Sequence, residues 1–263
     1  MNRIDKKFKE LRKKRKKAFC AFIMAGDPTL AVTKKLIFEL ENNGADIIEL
    51  GVPFSDPLAD GPTIQRSSER ALKNRVTLSS VFSLVRDIRS NTNIPIVFLT
   101  YYNLILHYGL SRFAQGARRS GVDGIVIPDL PPEESLELRR VTRKNNVALI
   151  HLAAPTSSMK RLKSIASAST GFIYYVSLTG TTGARERLPK DLSFNLNKIR
   201  KITRKPVCVG FGISRPEQVA STSKLAEGVI VGSAIIKVIE KNIGKKDLVK
   251  KVGRFVRGLT SNI

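Results

Sequence analysis

The segment ELGVPFSDPLADGP, residues 49–62, carries two carboxylates eleven positions apart, Glu49 and Asp60, at the end of an apolar run. A strand that ends in an acid and feeds a long irregular loop is how parallel α/β enzymes present catalytic groups. The sheet holds the first acid, and the loop brings its partner across the mouth. An isolated glutamate would read as a solvated loop acid. Glu49 instead follows Ile47 and Ile48 and ends a strand that is otherwise apolar, so it is expected to point into the mouth. A carboxyl in such a pocket has its pKa raised by desolvation and can act as both acid and base near neutrality. Asp60 stands in Leu58-Ala59-Asp60-Gly61, where glycine permits a tight backbone. Asp56, the third acid of the segment, is expected to support the loop or meet a partner.

A glycine constellation is the second chemical signal. Thr179-Gly180-Thr181-Thr182-Gly183, Gly210-Phe211-Gly212-Ile213-Ser214 and Gly232-Ser233-Ala234 follow three successive apolar runs. Glycines let backbone N–H groups approach an anion closely, and a helix N-terminus adds a favourable field. Each cluster alone could simply turn the chain. Three of them at successive strand ends point to a phosphorylated ligand, because the loops after strands seven and eight of a barrel are the usual phosphate site.

These groups need elements to position them. Short runs rich in β-branched and aromatic residues span Ala18–Met24, Ala45–Gly51, Ile94–Tyr102, Gly124–Ile127, Val147–Ala153, Gly171–Ser177, Pro206–Phe211 and Gly228–Val231. Amphipathic stretches lie between them, at Val32–Asn42, Leu78–Ser90, Leu110–Ser120, Glu133–Asn145, Met159–Ala168 and Leu192–Thr203. Strict alternation predicts a parallel sheet covered by helices, and eight units favour a closed (β/α)8 TIM barrel of phosphate-binding type over an open sheet. Asp27-Pro28-Thr29, Pro131-Pro132-Glu133-Glu134 and Pro216-Glu217 read as helix starts, and Lys245–Val256 as a last amphipathic helix. No linker divides the 263 residues, so one domain over 1–263 is expected.

The net charge of +24 attracts polyanions and phosphorylated metabolites. Its sharpest run, residues 6–17, could serve an RNA-binding arm or a tail that docks on an acidic partner. Ile4, Phe8 and Leu11 recur at helical spacing, which favours an extra N-terminal helix packed on the barrel floor with a solvated basic face. Basic residues elsewhere lack the aromatic interleaving of a nucleic-acid motif, so nucleic acid is not the expected partner. Cys20 and Cys208 lie far apart in apolar runs and read as buried free thiols in a reducing compartment. No Cys/His cluster suggests a metal. No apolar stretch is long enough for a membrane span and no secretory leader is evident, so a cytoplasmic protein is expected.

The chain resembles the tryptophan synthase alpha subunit family over nearly its whole length. The resemblance rests on ELGVPFSDPLADGP with Gln65, Ala-Gly-Asp-Pro at 25–28, Tyr-Tyr-Asn at 101–103 and Pro-Asp-Leu-Pro at 128–131. It continues in Thr-Gly-Thr-Thr-Gly-Ala at 179–184, Gly-Phe-Gly-Ile-Ser at 210–214 and Gly-Ser-Ala at 232–234. It implies a lyase of tryptophan biosynthesis that cleaves indole-3-glycerol phosphate to indole and glyceraldehyde 3-phosphate by a retro-aldol step. Glu49 then matches the acid/base, and Asp60 the carboxylate that stabilises positive charge on the indole nitrogen. Gly183, Gly212, Gly232 and Ser233 match the phosphate site. Phe22, Leu99, Tyr101, Tyr174 and Phe211 match the indole pocket, and Thr182 a closing loop. Pro53 and Asp56 match the face toward a beta subunit in an α2β2 complex. Pyridoxal phosphate is expected on that beta partner and no cofactor on this chain. Met24, Thr100 and Leu104 depart from the commoner family residues and are expected to flank the pocket. Two other readings fit the pattern: an alpha-like allosteric activator without strong catalysis, and another phosphosugar or phosphorylated-indole barrel enzyme.

Overall fold

A computed structural model describes residues 1–176, 191–210, 212–261 and 263. Its strands are β1 (Ala18–Met24), β2 (Ile47–Gly51), β3 (Ile96–Leu99), β4 (Gly124–Val126), β5 (Ala148–Ile150), β6 (Leu152–Ala153), β7 (Ile173–Val176), β8 (Val207–Gly210) and β9 (Gly228–Val231). Its helices are α1 (Arg3–Lys13), α2 (Leu30–Asn42), α3 (Pro62–Lys73), α4 (Leu78–Ile88), α5 (Tyr102–Tyr108) and α6 (Leu110–Ser120). They continue as α7 (Leu136–Lys144), α8 (Met159–Ala168), α9 (Leu192–Arg200), α10 (Pro216–Ser223), α11 (Ser233–Glu240) and α12 (Leu248–Thr260).

The strands form one sheet in the order β5-β4-β3-β2-β1-β9-β8-β7-β6, and each of its pairings is parallel. The two ends of that order, β5 and β6, are separated in the chain only by His151. The sheet therefore curls into a barrel through a broken fifth strand. The run expected as one strand over 147–153 is two pieces because the His151 N–H donates to the Ser169 hydroxyl rather than to a neighbouring strand. The helix expected over 133–145 begins at Leu136. Pro131 and Pro132 set a turn whose carbonyls accept from the Glu134 and Ser135 N–H groups, and Glu133 pairs with Arg161 on α8 instead of capping. Thr29 does cap α2, accepting the Val32 N–H at 3.2 Å.

The strands are buried on both faces, so they read as continuous apolar runs rather than alternating ones. One face packs against the helices. The other fills the barrel with Cys20, Ile47, Val97, Val126, Ile150 and Ile230, among others. Ile4, Phe8 and Leu11 of α1 join that inner cluster and close its floor. Asn2 caps α1 by accepting the Ile4 N–H at 2.8 Å. Asp123 holds the same end through Arg3 at 3.1 Å and Arg89 at 2.9 Å. Gly124 leaves room for the helix, since a Cβ there would come within 2.9 Å of Ile4 Cδ1. The basic residues Lys6, Lys9, Arg12 and Lys13 face solvent. Among the described residues no helix is long and apolar enough to cross a membrane.

Ile4 is fully buried at the junction of α1 and the barrel floor. Ile4→Ala is expected to lower unfolding free energy by roughly 2 to 4 kcal/mol, read from the urea midpoint at unchanged m value.

Candidate active site

Glu49 sits in the middle of β2, in register with Phe22 of β1 and Val97 of β3. Alternation along the strand turns its side chain inward, and it is 2% exposed. Neither carboxylate oxygen has a hydrogen-bond partner among the described residues. Burial pushes its pKa up to about 8, and the nearby Asp60 charge adds to the rise. Asp60 faces the same cavity from the loop between β2 and α3. Burial raises its pKa to about 6, and a hydrogen bond from the Tyr101 hydroxyl opposes the rise. Two acids in one apolar cavity are thus held at different proton affinities, the arrangement that separates an acid from an ionised partner.

The cavity has a volume of about 260 Å³. Phe22, Leu99, Tyr174 and Ile230 form its apolar interior around Glu49. Gly212, Gly232 and Ser233 line a second lobe. Gly212 has φ +80°, a conformation that favours glycine. Gly232 precedes α11, whose first N–H groups have no partner within the helix, and Ser233 is its first residue. A Cβ at Gly232 would crowd Phe22 at 3.3 Å. Phe22, Leu99 and Tyr174 of the expected indole pocket and Gly212, Gly232 and Ser233 of the expected phosphate site therefore line one space, with the two acids beside them. Gly183, Thr182 and Phe211 lie outside the described residues.

Several expectations change in detail. Tyr101 does not line the cavity. It bonds the Asp60 carboxylate, its hydroxyl accepts the Ala59 N–H at 3.2 Å, and its ring stacks on Phe54 at 5.1 Å. It therefore anchors the loop that carries Asp60. The loop is also pinned by Ser68, which accepts the Phe54 N–H and donates to the Phe54 carbonyl, both at 2.9 Å. Pro53 is buried, whereas Asp56 is exposed. Met24, Thr100 and Leu104 do not line the cavity. Met24 and Leu104 pack into the outer core, and the buried Thr100 hydroxyl has no partner.

Sequence reasoning missed the ion-pair network behind the mouth. Asp27, 1% exposed, takes two contacts from Arg70 at 2.7 Å. Arg70 also reaches Glu240 at 2.9 Å, and Arg66 grips the same carboxylate at 2.9 and 3.1 Å. This ties the end of β1, the helix that follows Asp60 and the helix that opens with Gly232-Ser233. Reading Asp27-Pro28-Thr29 as a helix start hid Asp27's role, since its partners are 40 or more positions away. Ile64, Ile230, Lys237 and Phe255 also line the cavity without a local sequence signal. Cys20 and Cys208 are free, and burial pushes both thiols well up, away from the reactive thiolate.

Comparison with known proteins agrees with this geometry. The tryptophan synthase alpha chain family matches residues 8–262. The chain is 48% identical over 263 residues to the tryptophan synthase alpha chain of Citrifermentans bemidjiense, covering 100% of this chain and 98% of that one. The solved tryptophan synthase alpha chain of Legionella pneumophila superimposes with a TM-score of 0.92 at 38% identity, covering 100% of this chain and 97% of that one. A chain of the solved tryptophan synthase complex of Pyrococcus furiosus does so with a TM-score of 0.86 at 40% identity, covering 93% and 98%. With its barrel, its buried glutamate and its glycine lobe in place, the chain belongs to the tryptophan synthase alpha chain family.

Proposed function

We propose that Glu49 and Asp60 carry the family's lyase reaction, the retro-aldol cleavage of indole-3-glycerol phosphate to indole and glyceraldehyde 3-phosphate in tryptophan biosynthesis. The observation that carries this reading is Glu49 itself, a carboxyl with both oxygens unpartnered among the described residues, buried in an apolar cavity that also holds Asp60 and a glycine lobe. With a pKa of about 8 it is protonated at neutral pH. It gives that proton to indole C3, which places positive charge on the ring nitrogen. Asp60, ionised above about pH 6, stabilises that cation. The bond from C3 to the hydroxyl-bearing carbon then breaks, and its electron pair restores the aromatic ring. Glu49, now a carboxylate, takes the hydroxyl proton as the aldehyde forms, so the acid is regenerated. The phosphate rests on the backbone of Gly212, Gly232 and Ser233, with Gly183 beyond the described residues, and Phe22, Leu99 and Tyr174 enclose the indole. In this reading Tyr101 serves the indole side indirectly, by holding Asp60.

The reading extends to a partner. The loop between β2 and α3 presents Asp56 and a 92% exposed Leu58 beside the catalytic acids, a fit surface for a beta subunit that receives indole in an α2β2 assembly. Pyridoxal phosphate belongs to that subunit. The buried Pro53 shapes this loop from behind. The same proposal treats residues 1–263 as one domain working in the cytoplasm.

Indole release by the purified chain, with and without a beta subunit, tests the assignment. Glu49→Gln should lower kcat by at least about a hundredfold while substrate still binds; undiminished turnover would remove Glu49 from the role. The pH profile of kcat should be bell-shaped, falling below about 6 and above about 8. Asp60→Asn should flatten the acidic limb.

Stability gives an independent check. The Glu49 carboxyl ionises near pH 4.5 in the unfolded chain but near 8 in the fold. The native state therefore binds more protons between those values, and stability falls as pH rises through that window. Glu49→Gln removes the effect. The variant should match wild type near pH 4 and exceed it by up to roughly 5 kcal/mol at pH 9, measured by denaturant titration.

A further inference from the structure

The cavity has an electrostatic problem that its glycine lobe does not solve alone. Asp60 is the ionised acid of the reading above, Glu49 becomes a carboxylate once it has given up its proton, and a phosphomonoester brings between one and two further negative charges near neutral pH. Like charges in a partly desolvated cavity repel strongly. Backbone N–H groups and a helix end offer only partial positive charge. Among the described residues that line the cavity, Lys237 is the one cation.

Lys237 lies one turn beyond Ser233 on α11. Helical side chains lean toward the N-terminus of their helix, so its stem runs back toward Gly232–Ala234, the end that faces the glycine lobe. The residue is exposed and lines the cavity at the same time, which puts it on the solvent side of that lobe. The single acid of α11, Glu240, would be its natural partner three positions on, but Arg66 and Arg70 occupy that carboxylate. Among the described residues no carboxylate pairs with Lys237, and its ammonium is available to a ligand.

We propose that Lys237 is a substrate-binding cation that contacts the phosphate group from the solvent side of the glycine lobe and offsets its repulsion by Asp60 and by Glu49 in its carboxylate form. The inference rests on the phosphorylated substrate assigned above and adds a charged contact to a site otherwise built from backbone. It acts on charge, so it favours phosphorylated ligands and leaves neutral indole indifferent. An ammonium on a mobile stem at the rim also suits a group that must release a phosphorylated product in every cycle.

The test compares Lys237→Met and Lys237→Arg with Lys241→Met, which removes the same charge from the exposed end of the same helix outside the cavity. KM and kcat are measured for indole-3-glycerol phosphate, and binding is measured separately for glycerol 3-phosphate and for indole. Lys237→Met should raise KM and the glycerol 3-phosphate Kd about 5- to 10-fold. It should change kcat less than about twofold, leave the indole Kd unmoved and weaken the salt dependence of kcat/KM. Lys237→Arg should restore most of the affinity, and Lys241→Met should behave as wild type. An unchanged glycerol 3-phosphate Kd, or an equal loss of indole affinity, would overturn the proposal. Absence of wild-type turnover would instead count against the lyase assignment. Glycerol 3-phosphate binding would still decide the role of Lys237, and a wild-type chain that does not bind it would overturn that role as well.

Discussion

A carboxyl group buried at the centre of the barrel, with no hydrogen-bond partner among the described residues, is the constraint around which this molecule is arranged. Glu49 is costly to ionise there, because desolvation penalises the charged form. That cost is what lifts its proton affinity into the range useful for acid/base chemistry. The fold sustains it with an extensive apolar interior. The strands are buried on both faces, the inner face is packed with aliphatic side chains, and α1 seals the floor. Holding Glu49 on a strand rather than a loop matters too, since the ladder on either side fixes its position relative to Phe22 and Val97.

The chemistry and the stabilising devices occupy opposite ends of the barrel. At the floor, Asn2, Arg3, Arg89 and Asp123 lock the N-terminal helix to the strand starts. At the mouth, Asp60 lies in a loop above the mid-strand Glu49, the glycine lobe at the start of α11, and the ion-pair network where the far ends of α3 and α11 meet the residues after β1. Buried ion pairs are weak sources of net stability because desolvation cancels much of their attraction. The Asp27–Arg70–Glu240–Arg66 network is better understood as a spacer. It joins the helix that follows Asp60 to the helix that opens with Gly232-Ser233, and so links the elements that carry the two sides of the cavity.

The distribution of charge follows the same division. The chain carries +24 overall, and its densest basic run faces solvent on α1 below the barrel, while the described residues that line the cavity include two acids and one lysine. A positive field over the whole molecule draws in phosphorylated metabolites. Binding one beside two carboxylates then depends on local groups, because screening shortens the reach of distant surface charge.

The eight-unit alternation, the inward glutamate and the plug on the floor were legible in the sequence. Each is a local or periodic pattern: strands buried on both faces read as apolar runs, and Ile4, Phe8 and Leu11 repeat at the period of a helix. The pairing of Glu49 with Asp60 was legible as well, since both fall in one short segment. Only the tertiary structure decided that Tyr101 bonds a loop 42 residues earlier in the chain. It alone decided that Arg70 bridges Asp27 and a glutamate 170 residues later, that the fifth strand breaks at His151, and that Lys237 reaches the mouth. These are contacts between side chains distant in sequence. Residue type and spacing report which face of an element is buried, but not which group stands opposite once the barrel has closed.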